Sequence, residues 1–167
     1  MRSMLVFFTL FSAQVFADHG LVVTTLASQY DPGSIIIRTR EHALYLIQNS
    51  QEAIRYPIAV PKAGKQWPVA SAQVTSKQAN PAWMPPADVL KDHPNLKDGF
   101  AAGDERNPMG VAAIGLSIPE IYIHGTAPEM RKTIGHEVSY GCIRMLNEDV
   151  ADLYERVGYG TPVYLIR

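Results

Sequence analysis

From Ser34 onward the chain runs in short apolar stretches, rich in β-branched and aromatic residues and separated by polar or Pro/Gly breaks. SIIIRT (Ser34–Thr39), ALYLIQ (Ala43–Gln48) and AIRYPIAV (Ala53–Val60) have the length and composition of meander strands. Asn49-Ser50-Gln51 turns the chain between the second and third, and PKAGK (Pro61–Lys65) is the next turn. Ala70–Ser76, Val111–Leu116 and Thr161–Ile166 read as further strands. In IYIHGT, Ile121 and Ile123 alternate with Tyr122 and His124, which is the period of a strand. Pro57 inside its run predicts an edge position or a bulge. Ahead of these, Leu21–Ala27 is read as a short strand, with Asp31-Pro32-Gly33 as a turn.

Helical periodicity is confined to one good segment and a shorter one. Val150, Leu153, Tyr154 and Val157 share a helix face, Asn147 is the expected N-cap, and Gly158 suits the stop. A second helical turn is expected near Glu129–Thr133, and another at Val89–Asp92. The pattern therefore predicts a mainly β single domain with one or two short helices. Gln78–Gly110 breaks the rhythm with five prolines, Trp83, Met84 and Phe100. A long proline-rich loop in a compact domain is uncommon and often functional. It is a candidate wall or lid, in which Trp83 either stacks on a ligand or staples the loop to the body.

Met1–Ala17 has the form of a secretory signal: Arg2, an apolar core at Met4–Phe11, and small residues at Val15 and Ala17. Cleavage is expected before Asp18, leaving 150 of 167 residues, enough for one domain with a real core. The bland alternative is a membrane anchor; no later apolar run is long enough for a span. Residues 18–33 are expected to be a lead-in and 34–167 the domain. Of the chain, 47% is apolar and 19% charged, with a formal net charge of −1, so nothing argues for nucleic acid or an anionic membrane. There is no glycine-rich phosphate loop and no internal repeat.

The single cysteine changes the picture. In an oxidising compartment a lone thiol is a liability and can form no internal disulfide. Cys142 follows Gly141, with Ser139 three residues before it and His124 eighteen before it. A thiolate nucleophile needs a base, and imidazole can supply one. Backbone N–H groups around Gly141 and Cys142 are natural oxyanion donors. Ser139 and Thr126 are available to orient the imidazole, and Gly125 lets the chain leave the histidine strand. Arg144 alternates with Ile143 and Met145, so it shares a face with the thiol; it is placed to bind a substrate carboxylate or, alternatively, to form a structural salt bridge. The competing readings are a buried structural cysteine and a zinc site at Cys142, His136 and His124, although that spacing matches no common zinc pattern.

Five segments carry a resemblance to a known family: NPAWMPP (Asn80–Pro86), NPMGVAAIGLS (Asn107–Ser117), IYIHGT (Ile121–Thr126), VSYGCIRM (Val138–Met145) and NEDVADLYERV (Asn147–Val157). In order and spacing the chain resembles the YkuD-type L,D-transpeptidase domain, periplasmic proteobacterial branch, over Gly33–Arg167. That resemblance implies a β-sandwich-like fold with Cys142 and His124 at the mouth of a groove. It implies a peptidoglycan enzyme, inhibited by carbapenems, in which Cys142 forms a thioester with the third residue of a tetrapeptide stem and D-Ala leaves. His124 would be the base, and Gly141 and Ser139 would complete the catalytic turn. Arg144, Tyr122, Tyr140, Gly125, Thr126 and Trp83 are the expected substrate contacts, and no metal or organic cofactor is implied. The acyl acceptor would be another stem, the lysine of an outer-membrane lipoprotein, a D-amino acid, or water, the last making an L,D-carboxypeptidase. A non-catalytic wall-binding module is the third class. One departure stands out: the family's commonest signature has His two residues before the nucleophile, where this chain has Tyr140. His136 is a candidate substitute. No separate wall-binding module is expected ahead of the domain.

Overall fold

Three consecutive isoleucines, Ile35–Ile37, leave a strand no polar face, and the strand they form is buried on both sides. The computed structural model describes residues 19–167, so the leader read at 1–17 lies outside the described residues. The strands are β1 (Gly20–Val23), β2 (Ile35–Arg38), β3 (Ala43–Ile47), β4 (Glu52–Pro61), β5 (Ser71–Ala79), β6 (Ala112–Leu116), β7 (Tyr122–His124), β8 (Glu137–Ser139), β9 (Ile143–Met145) and β10 (Pro162–Ile166). Two short α-helices accompany them, α1 (Ala87–Asp92) and α2 (Asn147–Arg156). The mainly β single domain read from the sequence is what the structure shows.

The sheet closes on itself. Eight strands follow one another in the order β4-β3-β2-β10-β5-β6-β7-β9, and β9 pairs back onto β4. One long strand makes the closure. Residues 53–57 of β4 pair with β3, while Ile58 and Ala59 pair with Met145 and Arg144 of β9. Pro57 stands at this change of partners, where a missing N–H costs least. β1 and β8 also pair with β4, outside the ring.

Ile35 and Ile37 face the main core with Leu44, Leu46, Tyr56, Ile58, Ile114, Ile123 and Ile143. Ile36 faces a smaller core with Leu26, Tyr45 and Ile47. Each such side chain, fully buried, contributes about 1.5–3 kcal/mol. The segment read as a strand over Leu21–Ala27 is divided: β1 ends at Val23 and Thr25–Ser28 is a 3₁₀ turn that buries Leu26 and Ala27 over the smaller core. Likewise Pro128–Thr133 is 3₁₀ rather than α.

Helix α2 sends Val150, Leu153 and the following Val157 into the main core. Its last carbonyls, on Tyr154 and Val157, accept hydrogen bonds from Lys77 Nζ at 2.6 and 2.8 Å. A cation there complements the helix dipole. Among the described residues no helix is long and apolar enough to cross a membrane.

Candidate active site

β7 and β9 lie side by side in parallel, with Ile123 opposite Ile143 and His124 opposite Arg144. The isoleucines are fully buried and fix the register, since a one-residue slip would swap them for polar neighbours. Cys142 enters β9 from the turn before it. Cys142, His124, Arg144 and Ser139 all line one cavity of about 270 Å³, together with Tyr140, Glu120, Trp83 and Met109. The strands thus bring together the thiol, the imidazole and the guanidinium read from the sequence.

The turn before Cys142 is built from backbone contacts. Gly141 has φ +136°, and a Cβ there would come within 2.6 Å of Ile121 Cδ1, so the position needs glycine. Ser139 is buried, and its hydroxyl donates to the Cys142 carbonyl at 2.5 Å and accepts from Gly141 N at 3.3 Å. It therefore holds the turn and not the imidazole. From the far side, the indole of fully buried Trp67 donates to the Gly141 carbonyl at 2.7 Å. Because the peptide is planar and trans, a fixed carbonyl also fixes the N–H of Cys142 on the opposite side. Trp67 was not visible as a site residue in the sequence: it lies 74 positions from its partner, between the turn read at Pro61–Lys65 and the strand read at Ala70–Ser76.

The imidazole is oriented by its own backbone. His124 Nδ1 stands 2.7 Å from the Gly125 carbonyl oxygen, which can only accept, so Nδ1 carries a proton and Nε2 is the basic nitrogen of the neutral ring. Thr126 plays no part in this. It is buried, its N–H donates to Asn147 Oδ1 at 2.9 Å, and its hydroxyl finds no partner among the described residues. Neither Gly125 nor Thr126 lines the cavity, because the chain turns away after His124 to pack on Asn147. Asn147 was expected to cap α2. It is instead the first residue of the helix, and its side chain receives the N–H groups of Val111 and Thr126. His136 is exposed and outside the cavity. Among the described residues no group of three or more His, Cys, Asp or Glu side chains could hold a metal ion.

Burial sets the protonation states. Burial first, and then the Arg144 charge, bring the His124 pKa down to about 3 against the pull of the Gly125 and Pro108 carbonyls. Burial also pushes the Cys142 thiol up, more than a backbone hydrogen bond from Tyr122 and the charge of Arg144 bring it down. The resting pair is thus a neutral thiol and a neutral imidazole. The thiol donates to the Glu120 carbonyl at 3.6 Å. Arg144 is nearly buried and donates to Thr133 Oγ1 at 2.8 Å; its Nε has no partner, and among the described residues it has no carboxylate counter-ion. A buried guanidinium without an anion is costly, and an incoming carboxylate would offset that cost.

An arch of residues 80–110 roofs the site. Trp83 and Phe100 pair by two backbone hydrogen bonds of 2.9 and 2.8 Å, with their rings stacked 6.0 Å apart. Trp83 therefore staples the arch and also lines the cavity. At its base, buried Asn107 donates to the Pro81 carbonyl at 2.7 Å. Helix α1 is tied down by exposed groups: Lys65 to Asp88, Lys62 to Asp92, and the Tyr140 hydroxyl to Asp92, with Lys62 Nζ 3.7 Å from the Tyr140 ring centroid. Tyr140 thus reaches from the turn before Cys142 to the arch. A second cavity of about 350 Å³ adjoins the first, sharing Cys142, Glu120, Trp83, Pro86 and Met109 with it, and is lined further by Gln78, Pro81, Met84, Pro85 and Tyr122, among others. Glu120, between the two cavities, has φ +61°. For a residue that is neither Gly nor Asn this costs about 1–3 kcal/mol.

Residues 32–165 match the model of the YkuD L,D-transpeptidase catalytic domain, and the chain belongs to that family. The probable L,D-transpeptidase YbiS of Escherichia coli K12 is 35% identical over 138 residues, covering 79% of this chain and 44% of its own length. The chain thus spans less than half of that relative. A solved Brucella melitensis protein named a probable carnitine operon oxidoreductase is 37% identical, with a TM-score of 0.57 over 90% of this chain and 94% of its own. L,D-transpeptidase 3 of Mycobacterium tuberculosis, solved with a faropenem-derived adduct, shares the fold at 20% identity and a TM-score of 0.60, over 80% of this chain and 60% of its own.

Proposed function

We propose that the chain is a peptidoglycan L,D-transpeptidase working through a Cys142 thioester. The observation that carries the reading is one cavity holding a thiol, a neutral imidazole whose Nδ1 is held by the Gly125 carbonyl, and a buried guanidinium without a counter-ion. The carboxylate of a tetrapeptide stem pairs with Arg144. Cys142 attacks the amide carbonyl at the L-centre of the third residue as His124 Nε2 takes the thiol proton. The Cys142 N–H, aimed by Trp67 through Gly141, receives the oxyanion. His124 then returns the proton to the departing D-Ala amine, leaving the thioester. Because the thiolate exists only once substrate draws the proton across, the free enzyme keeps a protonated, less oxidisable sulfur.

An amine takes the acyl group from the thioester: a second stem, a lipoprotein lysine or a D-amino acid. Water in that place gives a carboxypeptidase, with the same first half-reaction. Such substrates lie outside the cytoplasmic membrane, in keeping with the leader read at 1–17 and an exported, periplasmic enzyme. The test is the intact mass of the protein after incubation with a carbapenem and then with a disaccharide-tetrapeptide. An adduct on Cys142, absent from Cys142→Ala, with a cross-linked product is the expected result. A wild-type protein with a reduced thiol that takes up neither compound would overturn the assignment.

A further inference from the structure

The thioester has to be reached by two molecules, and the site has two cavities that meet at Cys142. They differ in charge. The first holds Arg144, whose unpaired guanidinium suits the carboxylate of the donor. The lining of the second is apolar or neutral, from Pro81, Ala82, Met84, Pro85, Met109, Tyr122 and Gln78, apart from Glu120. Glu120 also belongs to the lining of the first cavity, so it stands at the junction. We propose that Glu120 is the specificity group for the acyl acceptor: it binds the ammonium of an incoming amine at the mouth of the second cavity and delivers the nitrogen to the thioester.

Three observations converge on this residue. Its carbonyl accepts the hydrogen bond of the thiol at 3.6 Å, which places its backbone against the reacting sulfur. Its negative charge is also felt at that sulfur, where it raises the thiol pKa. Among the described residues, no salt bridge or side-chain hydrogen bond engages its exposed carboxylate, so the charge is available to a ligand. The second observation is backbone conformation. Glu120 holds the left-handed region at φ +61°, in the turn Ser117–Glu120 between β6 and β7, where Gly, Asn or Asp would sit with less strain. Strain retained beside a nucleophile points to a role for the side chain that a turn alone does not require. The third is the position between a cavity that holds the buried Arg144, and whose other carboxylate, Asp88, is already paired with Lys65, and a cavity that is otherwise uncharged. A donor held by its carboxylate at Arg144 and an acceptor held by its ammonium at Glu120 cannot exchange places without putting like charges together, which fixes the direction of transfer.

The bound ammonium gives up one proton to become the free amine, and its nitrogen bonds to the thioester carbonyl carbon. The C–S bond breaks as the tetrahedral intermediate collapses. The second proton lost by nitrogen passes through His124 Nε2 to the sulfur, restoring the thiol, and the first leaves to solvent.

This proposal rests on the acyl-enzyme reading, and its test keeps the two apart. Glu120→Asp and Glu120→Asn both tolerate the left-handed backbone and differ in charge. The acyl-enzyme is formed first and then offered either D-alaninamide, an ammonium at pH 7, or hydroxylamine, which is neutral there. For Glu120→Asn, half-saturation by D-alaninamide should need about tenfold more acceptor than in the wild type, while the rate with hydroxylamine stays the same; Glu120→Asp should restore the wild-type value. Equal behaviour of the two variants toward D-alaninamide, or equal losses with both acceptors, overturns the assignment of Glu120. A wild-type protein that never acylates overturns the acyl-enzyme reading instead. In that event, direct binding of D-alaninamide to the unacylated Asp and Asn variants still decides for or against Glu120.

Discussion

The floor and the roof of the site are held by opposite means. The floor is the ledge of β7 and β9, where His124 and Arg144 are fixed by backbone ladders and by fully buried Ile123 and Ile143, and where an indole hydrogen bond to the Gly141 carbonyl holds the turn before Cys142. The roof is the arch of residues 80–110, where α1 buries none of its residues and is tied down by lysine–aspartate pairs and one tyrosine hydroxyl in solvent. Exposed ion pairs are weak and screened by salt, whereas buried ladders are not. The proposed chemistry therefore rests on the more firmly held part of the molecule, and the cavity is covered by the more weakly held one.

Three substitutions probe that contrast. The largest effect is expected on the floor from Arg144→Met, which removes the buried charge and keeps the volume. The donor KM should rise about 100-fold while the Tm stays level or increases, because an uncompensated buried guanidinium is replaced by a packed apolar chain. A thermal melt showing a clear drop in Tm would instead make Arg144 a structural residue. Next is Trp67→Phe, which keeps a smaller aromatic ring in the buried position and deletes the indole N–H. With the Gly141 carbonyl released, the peptide is free to rotate and the Cys142 N–H loses its aim. Acylation kcat should fall about 10- to 100-fold with KM nearly constant. A change confined to KM would place Trp67 in packing alone. The smallest effect is on the roof. Tyr140→Phe severs the tie to Asp92 but leaves the lysine stacking, so KM should move by about threefold or less. In 0.5 M salt the wild type should come to resemble this variant. A loss as large as that of Trp67→Phe would mean that the roof is as much a part of the chemistry as the floor.

What could be read beforehand divides along the same line. The runs SIIIRT, ALYLIQ and AIRYPIAV announced β2, β3 and β4, because β-branched residues buried on one or both faces leave a periodic trace in sequence. Cys142, His124 and Arg144 stood out through residue type and through family motifs. The contacts that aim them did not. Trp67 meets Gly141 across 74 residues, Lys77 meets the end of α2 across 80, and Asn147 serves loop amides and not its own helix. Such pairings depend on which strands become neighbours, and a one-dimensional pattern does not carry that information. For the same reason Thr126 and Ser139 looked like partners for the imidazole, whereas the Gly125 carbonyl, present at every residue type, does the orienting.

The place of β10 in the ring bears on how the site comes into being. Residues 162–166 are inserted between β2, which they meet in parallel, and β5, which they meet antiparallel. Every strand that carries the site is made earlier, yet the ring has a gap until this segment has been synthesised and has threaded into place. Assembly therefore waits on pairings between opposite ends of the chain, the kind that form slowly. A chain that lacks residues 162–166 has Cys142 but no closed ring to set it on, so the proposed reactivity depends on this strand.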